Sequence, residues 1–203
     1  MNKNTIWNNN RVENIREQFG YILAQDENPN IIENKDNYIV IGIPNTGIPS
    51  AKYYAETLNI KYRQLITKNK NINRTFILNT EEERKMASKN KYIFSEELNN
   101  KKIILFDDSI VRGITMNTLI TNLKQFGVDE IHIRVASPQI KYECKYGIDI
   151  PTIEELLMNN YVEIDEATKY LGCDSLKFTN IDKIKRIFTG SNLKHNLCTE
   201  CFI

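Results

Sequence analysis

Short apolar runs alternate with amphipathic segments of helical length along most of this chain. The apolar runs predict strands over four ranges: Tyr38–Ile43, Tyr62–Ile66, Lys102–Phe106 and Glu130–Ala136. The helical periodicity predicts six helices: Val12–Ala24, Ser50–Leu58, Thr115–Phe126, Thr152–Leu157, Asp165–Leu171 and Ile181–Phe188. The third strand does not alternate apolar with polar residues, which is typical of a strand buried on both faces of a parallel sheet. The pattern therefore predicts an α/β fold with an open parallel sheet flanked by helices.

One segment, Lys61–Thr80, departs from this alternation. Its second half is polar and has poor periodicity, and the segment carries no acidic residue but five basic ones: Lys61, Arg63, Lys68, Lys70 and Arg74. We interpret it as a long mobile loop beside the carboxyl ends of the strands, where ligands bind in open α/β sheets.

Composition narrows the class of protein. The chain has 203 residues and a formal net charge of +1, so the totals favour neither nucleic acid nor a membrane surface as a partner. No apolar run approaches the roughly 20 residues that span a bilayer, and the polar N-terminus does not resemble a signal segment. The four cysteines do not follow the pattern of a small secreted disulfide scaffold. We expect a soluble, cytoplasmic protein in a reducing compartment.

Two adjacent acids, Asp107 and Asp108, come directly after the third predicted strand. Ser109–Thr115 would lead into a helix whose free N–H groups suit a phosphate, and Gly113 lets the backbone approach it closely. Carboxylates beside a phosphate cradle suit a sugar phosphate, with the acids on ribose hydroxyls or a metal ion. The alternative is that the two acids only cap a turn, although an uncompensated acidic pair is costly there.

The segment "FDDSIVRGIT" resembles the motif for phosphoribosyl pyrophosphate (PRPP) in amidophosphoribosyltransferases. "IPNTGIPSAKYYAE" resembles the pyrophosphate loop and following helix of that family, and "ITKNKNINRTFI" resembles its flexible loop. The likeness continues in order through "SPQIKYECKYGIDIPTIEELL", "LGCDSL" and "CTECF". It runs from roughly Gln18 to Phe202, which divides the chain into an N-terminal arm, 1–17, and a phosphoribosyltransferase domain, 18–203.

The resemblance implies a type I phosphoribosyltransferase fold and the conversion of PRPP and ammonia into 5-phosphoribosylamine and pyrophosphate in purine biosynthesis. It implies Mg²⁺ as cofactor, held by Thr46, Asp107 and Asp108, with Asp107, Asp108 and Arg74 as the catalytic residues. It also implies a homo-oligomer. The implied PRPP-binding residues are Asn45, Thr46, Gly47, Lys68, Lys91, Ser109, Ile110, Val111, Arg112, Gly113, Ile114 and Thr115.

Several positions depart from the family pattern. Asn45 replaces the usual Asp near the metal, and Ile114 replaces a Thr that would donate to the 5′-phosphate. Asn71 and Asn73 replace a Tyr and a Gly in the flexible loop, which puts the family's ammonia channel in doubt. The family's N-terminal glutaminase domain has no counterpart in this sequence, so we expect free ammonia or a separate glutaminase subunit to supply the nitrogen.

The cysteines match the family only in part. Cys144, Cys198 and Cys201 stand where some members ligate a [4Fe–4S] cluster, which takes four thiolates. The fourth family ligand lies upstream of the matched region, and Cys173 is the only spare cysteine. The Cys198-x-x-Cys201 spacing also suits zinc. An iron–sulfur cluster, a zinc site and plain reduced thiols all remain open.

Three functions are compatible with these residues. The first is an ammonia-dependent phosphoribosyltransferase. The second is a non-catalytic PRPP- or nucleotide-binding regulatory module, which the changes at Asn45 and Ile114 favour. The third is transfer to another acceptor such as a nucleobase, which would need a base-binding region that the sequence does not reveal.

Overall fold

A parallel sheet of five strands forms the centre of the fold. The computed structural model describes residues 2, 4–7, 9–69, 91–146, 152–188 and 197–202. The five strands are β3 (Tyr38–Gly42), β4 (Lys61–Tyr62), β7 (Lys102–Asp107), β8 (Glu130–Val135) and β9 (Ser175–Phe178). Their order in the sheet is β4-β3-β7-β8-β9, and every neighbouring pair is parallel.

Two antiparallel ribbons lie outside this sheet. A short hairpin near the N-terminus pairs β1 (Ile6–Trp7) with β2 (Asn10–Arg11). The second ribbon pairs β5 (Ile66–Lys68) with β6 (Tyr92–Phe94), with Lys68 opposite Tyr92. The backbone N–H of Ser95 donates to the carbonyl of Leu65 at 3.0 Å. This ribbon therefore places Ile66–Lys68, inside the basic segment, next to Tyr92–Phe94.

Seven helices are described. Their bounds are α1 (Val12–Gln25), α2 (Pro29–Glu33), α3 (Ile48–Leu58), α4 (Ile114–Gln125), α5 (Leu157–Asn160), α6 (Ile164–Leu171) and α7 (Ile181–Ile187). Short 3₁₀ turns cover Lys35–Asn37, Glu96–Leu98 and Ile153–Glu155. Within the described ranges, no helix has both the length and the apolar character to cross a bilayer.

Each face of the sheet has its own apolar core. On one face, Ile103, Leu105 and Ile133 pack with the buried side of α4. On the other face, Ile104 and Phe106 pack with residues of α1 and α3. Alternate residues of β7 thus point to opposite cores, and Ile103, Ile104, Leu105 and Phe106 are all fully buried. A strand covered on both faces can be apolar at every position, which explains its sequence.

A buried polar cluster lies within the apolar core that Ile104 and Phe106 form with α1 and α3. The carboxylate of Glu27 receives two hydrogen bonds from Arg134, from Nε at 2.6 Å and from Nη2 at 2.8 Å. The hydroxyl of Tyr54 donates to the same carboxylate. Burial alone would raise the pKa of Glu27, but Arg134, Tyr54 and the backbone N–H of Asn28 outweigh it and lower the pKa to about 2. Glu27 is therefore a buried carboxylate with partners that favour its ionised form.

The predicted fold class is confirmed, and most predicted elements lie within two residues of the observed ones. Helix α2 and the short strands β1, β2 and β6 were not predicted. Three further details were wrong. The strand predicted over Tyr62–Ile66 is divided between β4 and β5, and the predicted loop Lys61–Thr80 contains both of them. The helix predicted over Thr152–Leu157 is a 3₁₀ turn followed by α5. The edge strand β9 was missed because its run is only four residues long and half of it is polar.

Candidate functional site

The acidic pair lies at the carboxyl end of β7, in the middle of the sheet. The backbone N–H of Asp108 donates to Oδ1 of Asp107 at 2.8 Å. The N–H groups of Ala136 and Ser137 donate to the carbonyls of Asp107 and Asp108, both at 2.9 Å. These bonds tie the pair to the end of β8. The two acids are therefore held by the sheet itself rather than by a free loop.

The electrostatic state of this pair differs from that of an ordinary surface acid. Burial and then the neighbouring charge of Asp108 raise the pKa of Asp107 well above its usual range. Among the described residues, no lysine or arginine lies within ion-pair distance of either carboxylate. Two carboxylates held together without a paired cation form a site that a divalent cation would stabilise.

The segment Asn45–Gly47, which resembles the pyrophosphate loop, packs against the end of the same strand. The backbone N–H of Ile43 donates to the carbonyl of Phe106 at 2.8 Å. A Cβ on Gly47 would collide with that carbonyl oxygen, so the close approach requires glycine. Asn45 is exposed and Thr46 is half-buried. The structure thus brings this loop to the residue that precedes the acidic pair.

A pocket of about 430 Å³ opens on the other side of the pair. It is lined by Asp107 and by residues 109–116. Gly113 precedes helix α4 with φ of +77°, and none of the described side chains caps that helix start. The first N–H groups of a twelve-residue helix are therefore available to a ligand, beside the positive end of the helix dipole. An uncapped helix start beside a pocket is the geometry that a phosphate site requires, and the predicted phosphate cradle stays a prediction.

The basic residues of the predicted site are only partly described. Lys68 ends β5 and is exposed, while Arg74 lies outside the described residues. Lys91 is exposed beside β6, and its charge lowers the pKa of Asp107 against the larger effects of burial and Asp108. The charge of Lys91 therefore acts on Asp107, while its role toward PRPP stays a prediction.

Sequence reasoning missed Tyr92, which follows Lys91 in β6. Burial raises the pKa of Tyr92 to about 12, and the charges of Asp107 and Asp108 add to this rise. The Nζ atom of Lys91 is 5.4 Å from the centroid of that ring. Tyr92 lies in the three-residue strand β6, which is too short to give a periodicity in the sequence and was not predicted.

The cysteines do not form a metal centre in the described part of the chain. Cys144, Cys198 and Cys201 lie on two segments that contact each other, because the carbonyl of Cys201 accepts hydrogen bonds from the N–H groups of Lys141 and Tyr142. All four cysteines are free thiols. No three His, Cys, Asp or Glu side chains among the described residues are grouped to hold a metal ion.

Comparisons with known proteins agree with this geometry. The family model of the phosphoribosyl transferase domain matches residues 14–146. Amidophosphoribosyltransferase of Homo sapiens is 40% identical over 148 residues, which are 72% of this chain and 28% of that protein. The chloroplastic amidophosphoribosyltransferase of Glycine max is 35% identical over 188 residues, which are 92% of this chain and 32% of that protein. The chain thus spans about a third of the length of these curated relatives.

A solved structure extends the likeness to the fold. The glutamine PRPP amidotransferase of Bacillus subtilis, complexed with ADP and GMP, superposes with a TM-score of 0.79 at 30% sequence identity. The match covers 96% of this chain and 42% of that one. The chain therefore belongs to the phosphoribosyl transferase domain family, and its resemblance to the amidophosphoribosyltransferases is confirmed.

Proposed function

We propose that this chain is a phosphoribosyltransferase of the amidophosphoribosyltransferase type, acting in purine biosynthesis. In this reaction the nitrogen of ammonia bonds to C1 of the ribose of PRPP, and the bond from C1 to the pyrophosphate oxygen breaks. The products are 5-phosphoribosylamine and pyrophosphate. The observation that carries the proposal is the pocket lined by Asp107 and residues 109–116, where a half-buried acidic pair adjoins an uncapped helix start.

The acidic pair suits Mg²⁺ and ribose. Carboxylate oxygens are the ligands that Mg²⁺ prefers, and two adjacent acids with a raised pKa on Asp107 are stabilised by a nearby cation. We assign Asp107, Asp108 and the hydroxyl of Thr46 to the metal and to the ribose hydroxyls. When bound, the metal ion would offset negative charge on the departing pyrophosphate. The two carboxylates also favour the positive charge that develops at C1.

The remaining groups of the site divide between the two ends of the substrate. We assign the 5′-phosphate to the backbone N–H groups of the cradle at Ser109–Thr115. The pyrophosphate is assigned to Asn45, Thr46 and Gly47, with positive charge from Lys68, Lys91 and Arg74. Backbone N–H groups that are fixed before the reaction stabilise a transition state without having to reorganise as charge moves.

The nitrogen source is a separate matter. The matched relatives are about three times as long as this chain, so their use of glutamine is not transferred to it. We propose ammonia as the direct acceptor, either free or delivered by a glutaminase partner. We also propose a homo-oligomer. Adding glutamine with and without a glutaminase from the same source, in place of ammonium, would distinguish the two ways of supplying nitrogen.

The test is pyrophosphate release from PRPP with Mg²⁺ and ammonium at alkaline pH. Wild type should release pyrophosphate only when ammonium and Mg²⁺ are both present, and Asp108→Asn should lose most of that rate. Equal rates from the two proteins would remove the catalytic role of the pair. Release that depends on a nucleobase rather than ammonium would identify a different acceptor.

A second function has specific observations in its favour. Asn45 lacks the charge that its family counterpart carries, and Ile114 places an exposed apolar side chain, 60% accessible, at the start of the phosphate cradle. Both changes weaken a substrate site more than they alter the fold, which suits a module that binds PRPP or a nucleotide for regulation. Binding of PRPP without release of pyrophosphate under the same conditions would favour this module.

A further inference from the structure

The phosphate cradle is supported from outside by the segment Ile153–Leu157. The backbone N–H of Leu157 donates to the carbonyl of Val111 at 2.8 Å. A Cβ on Gly113 would lie 2.9 Å from Cδ1 of Leu157, so the loop and this side chain are in close contact. Leu157 is itself buried. The segment therefore holds the cradle on both sides of Arg112.

Arg112 connects that outer segment to the pocket. Its Nε donates to Oε2 of Glu155 at 2.5 Å, and Arg112 also lines the pocket at residues 107–116. No other hydrogen bond of this side chain to a described residue is present. A guanidinium group carries five N–H donors, so the pairing with Glu155 uses one and leaves both Nη groups available.

An exposed ion pair of this kind contributes little to stability. The side chains of Arg112 and Glu155 are 43% and 50% exposed, and such pairs typically contribute about 0–1 kcal/mol. Orientation is a different effect. A guanidinium held at Nε presents its two Nη groups as a fixed fork, and that fork matches two oxygens of a phosphate.

We propose that Glu155 is a positioning residue for phosphate recognition: it fixes Arg112 so that both Nη groups bind the 5′-phosphate of the sugar in the cradle. This inference rests on the proposed function for the location of the sugar phosphate. It assigns a role to a residue outside the PRPP motif, 43 positions along the chain from Arg112.

The experiment compares two ligands that occupy different ends of the site. Calorimetry measures the binding of ribose 5-phosphate and of magnesium pyrophosphate to wild type, Glu155→Ala, Glu155→Gln, Arg112→Ala and the double variant Arg112→Ala/Glu155→Ala. Glu154→Ala is the matched control, because it removes the same charge from the same 3₁₀ turn. The carboxylate of Glu154 instead interacts with Thr152.

We expect Glu155→Ala to weaken ribose 5-phosphate binding about fivefold to tenfold, the size of one ordinary net hydrogen bond, because Arg112 stays in place but loses its fixed orientation. Magnesium pyrophosphate binding should stay within about twofold of wild type. Glu155→Gln should recover most of the loss because its amide oxygen still accepts from Nε. In the Arg112→Ala background, removing Glu155 should have no further effect on ribose 5-phosphate binding.

Three results would overturn the inference: no binding of ribose 5-phosphate to wild type, equal weakening of both ligands, or additive losses in the double variant. Equal losses of affinity in Glu154→Ala and Glu155→Ala would show that only the net charge of the turn matters, and this would also overturn the inference. The proposed function is tested separately by pyrophosphate release. If the protein binds ribose 5-phosphate as expected but releases no pyrophosphate, the inference about Glu155 stands and the proposed catalytic function is rejected.

Discussion

Two acidic groups of this protein have opposite electrostatic environments: Glu27, buried between α1 and α2, and the half-buried pair Asp107 and Asp108 at the end of β7. Glu27 is neutralised by Arg134 and hydrogen-bonded by Tyr54. Asp107 and Asp108 follow Phe106, the residue paired with Arg134 in the sheet register, but they have no ion-pair partner in the part of the chain that the structure describes. Glu27 is paired within the fold. The acidic pair has no paired cation among the described residues, and the proposed function would supply one as Mg²⁺.

The pKa values express the same difference. The pKa of Glu27 falls to about 2 because its partners outweigh the cost of burial. The pKa of Asp107 rises because burial and Asp108 act together. Glu27 is thus stabilised in its charged form, whereas the charged form of Asp107 is destabilised. Under the proposed function, the acidic pair trades stability for binding.

The largest expected effect comes from neutralising Asp107 in the unpaired acidic pair. Asp107→Asn should reduce pyrophosphate release about a thousandfold, because one charge that favours the metal and the transition state is lost. The free energy of unfolding without Mg²⁺ should stay the same or rise, because the repulsion from Asp108 disappears. Steady-state kinetics and urea denaturation measure the two quantities. Asp129→Asn, at an exposed position before β8, should change neither; a clear loss of stability in Asp107→Asn would contradict the contrast.

Neutralising the paired carboxylate Glu27 should have the opposite effect on stability. Glu27→Ala should lower the free energy of unfolding by about 3–5 kcal/mol, because Arg134 would remain buried and charged without its partner. Urea denaturation gives this value. Asp26→Ala is the matched control: Asp26 pairs with Lys183 at the surface, with 50% of its side chain exposed, and its loss should cost about 0–1 kcal/mol. Equal effects at the two positions would show that burial of the pair is unimportant.

The pH dependence of stability should show the contribution of Glu27. Its pKa in the folded protein, about 2, lies below the ordinary value of 4.5. The stabilisation is therefore fully present above pH 4.5 and is lost as the pH falls from there toward 2, with a total of about 3 kcal/mol. Denaturation curves of wild type and Glu27→Gln between pH 2 and 7 test this, because the variant cannot titrate at this position. Parallel pH profiles would refute the assignment.

The smallest expected effect is at the mouth of the cradle. Ile114→Thr should tighten PRPP binding about threefold to tenfold, because the added hydroxyl can donate to the 5′-phosphate. Stability should not change, because Ile114 is 60% exposed. Val162→Thr, at another exposed apolar position, serves as the control for binding and stability. Unchanged PRPP affinity in Ile114→Thr would indicate that the backbone N–H groups alone hold the phosphate.

Much of the fold and part of the site could be predicted from local sequence. The unbroken apolar run before Asp107 indicates a strand buried on both faces, and the run ends at the two acids. Gly113 follows within six residues and marks the close approach before the next helix. The division of the basic segment between β4 and β5 was not predictable in the same way. Short strands acquire their identity from the strands they pair with rather than from their own periodicity.

The sequence by itself determined the α/β class, the position of Asp107 and Asp108 at a strand end, and the glycine-containing loop behind them. These depend on residues that are adjacent along the chain. Only the tertiary structure decided which distant groups meet. It brings Gly47 to the carbonyl of Phe106, Glu27 to an arginine 107 positions away, and Glu155 to the phosphate cradle. Such contacts depend on how helices pack on the two faces of the sheet, and local hydrophobic periodicity does not specify that packing.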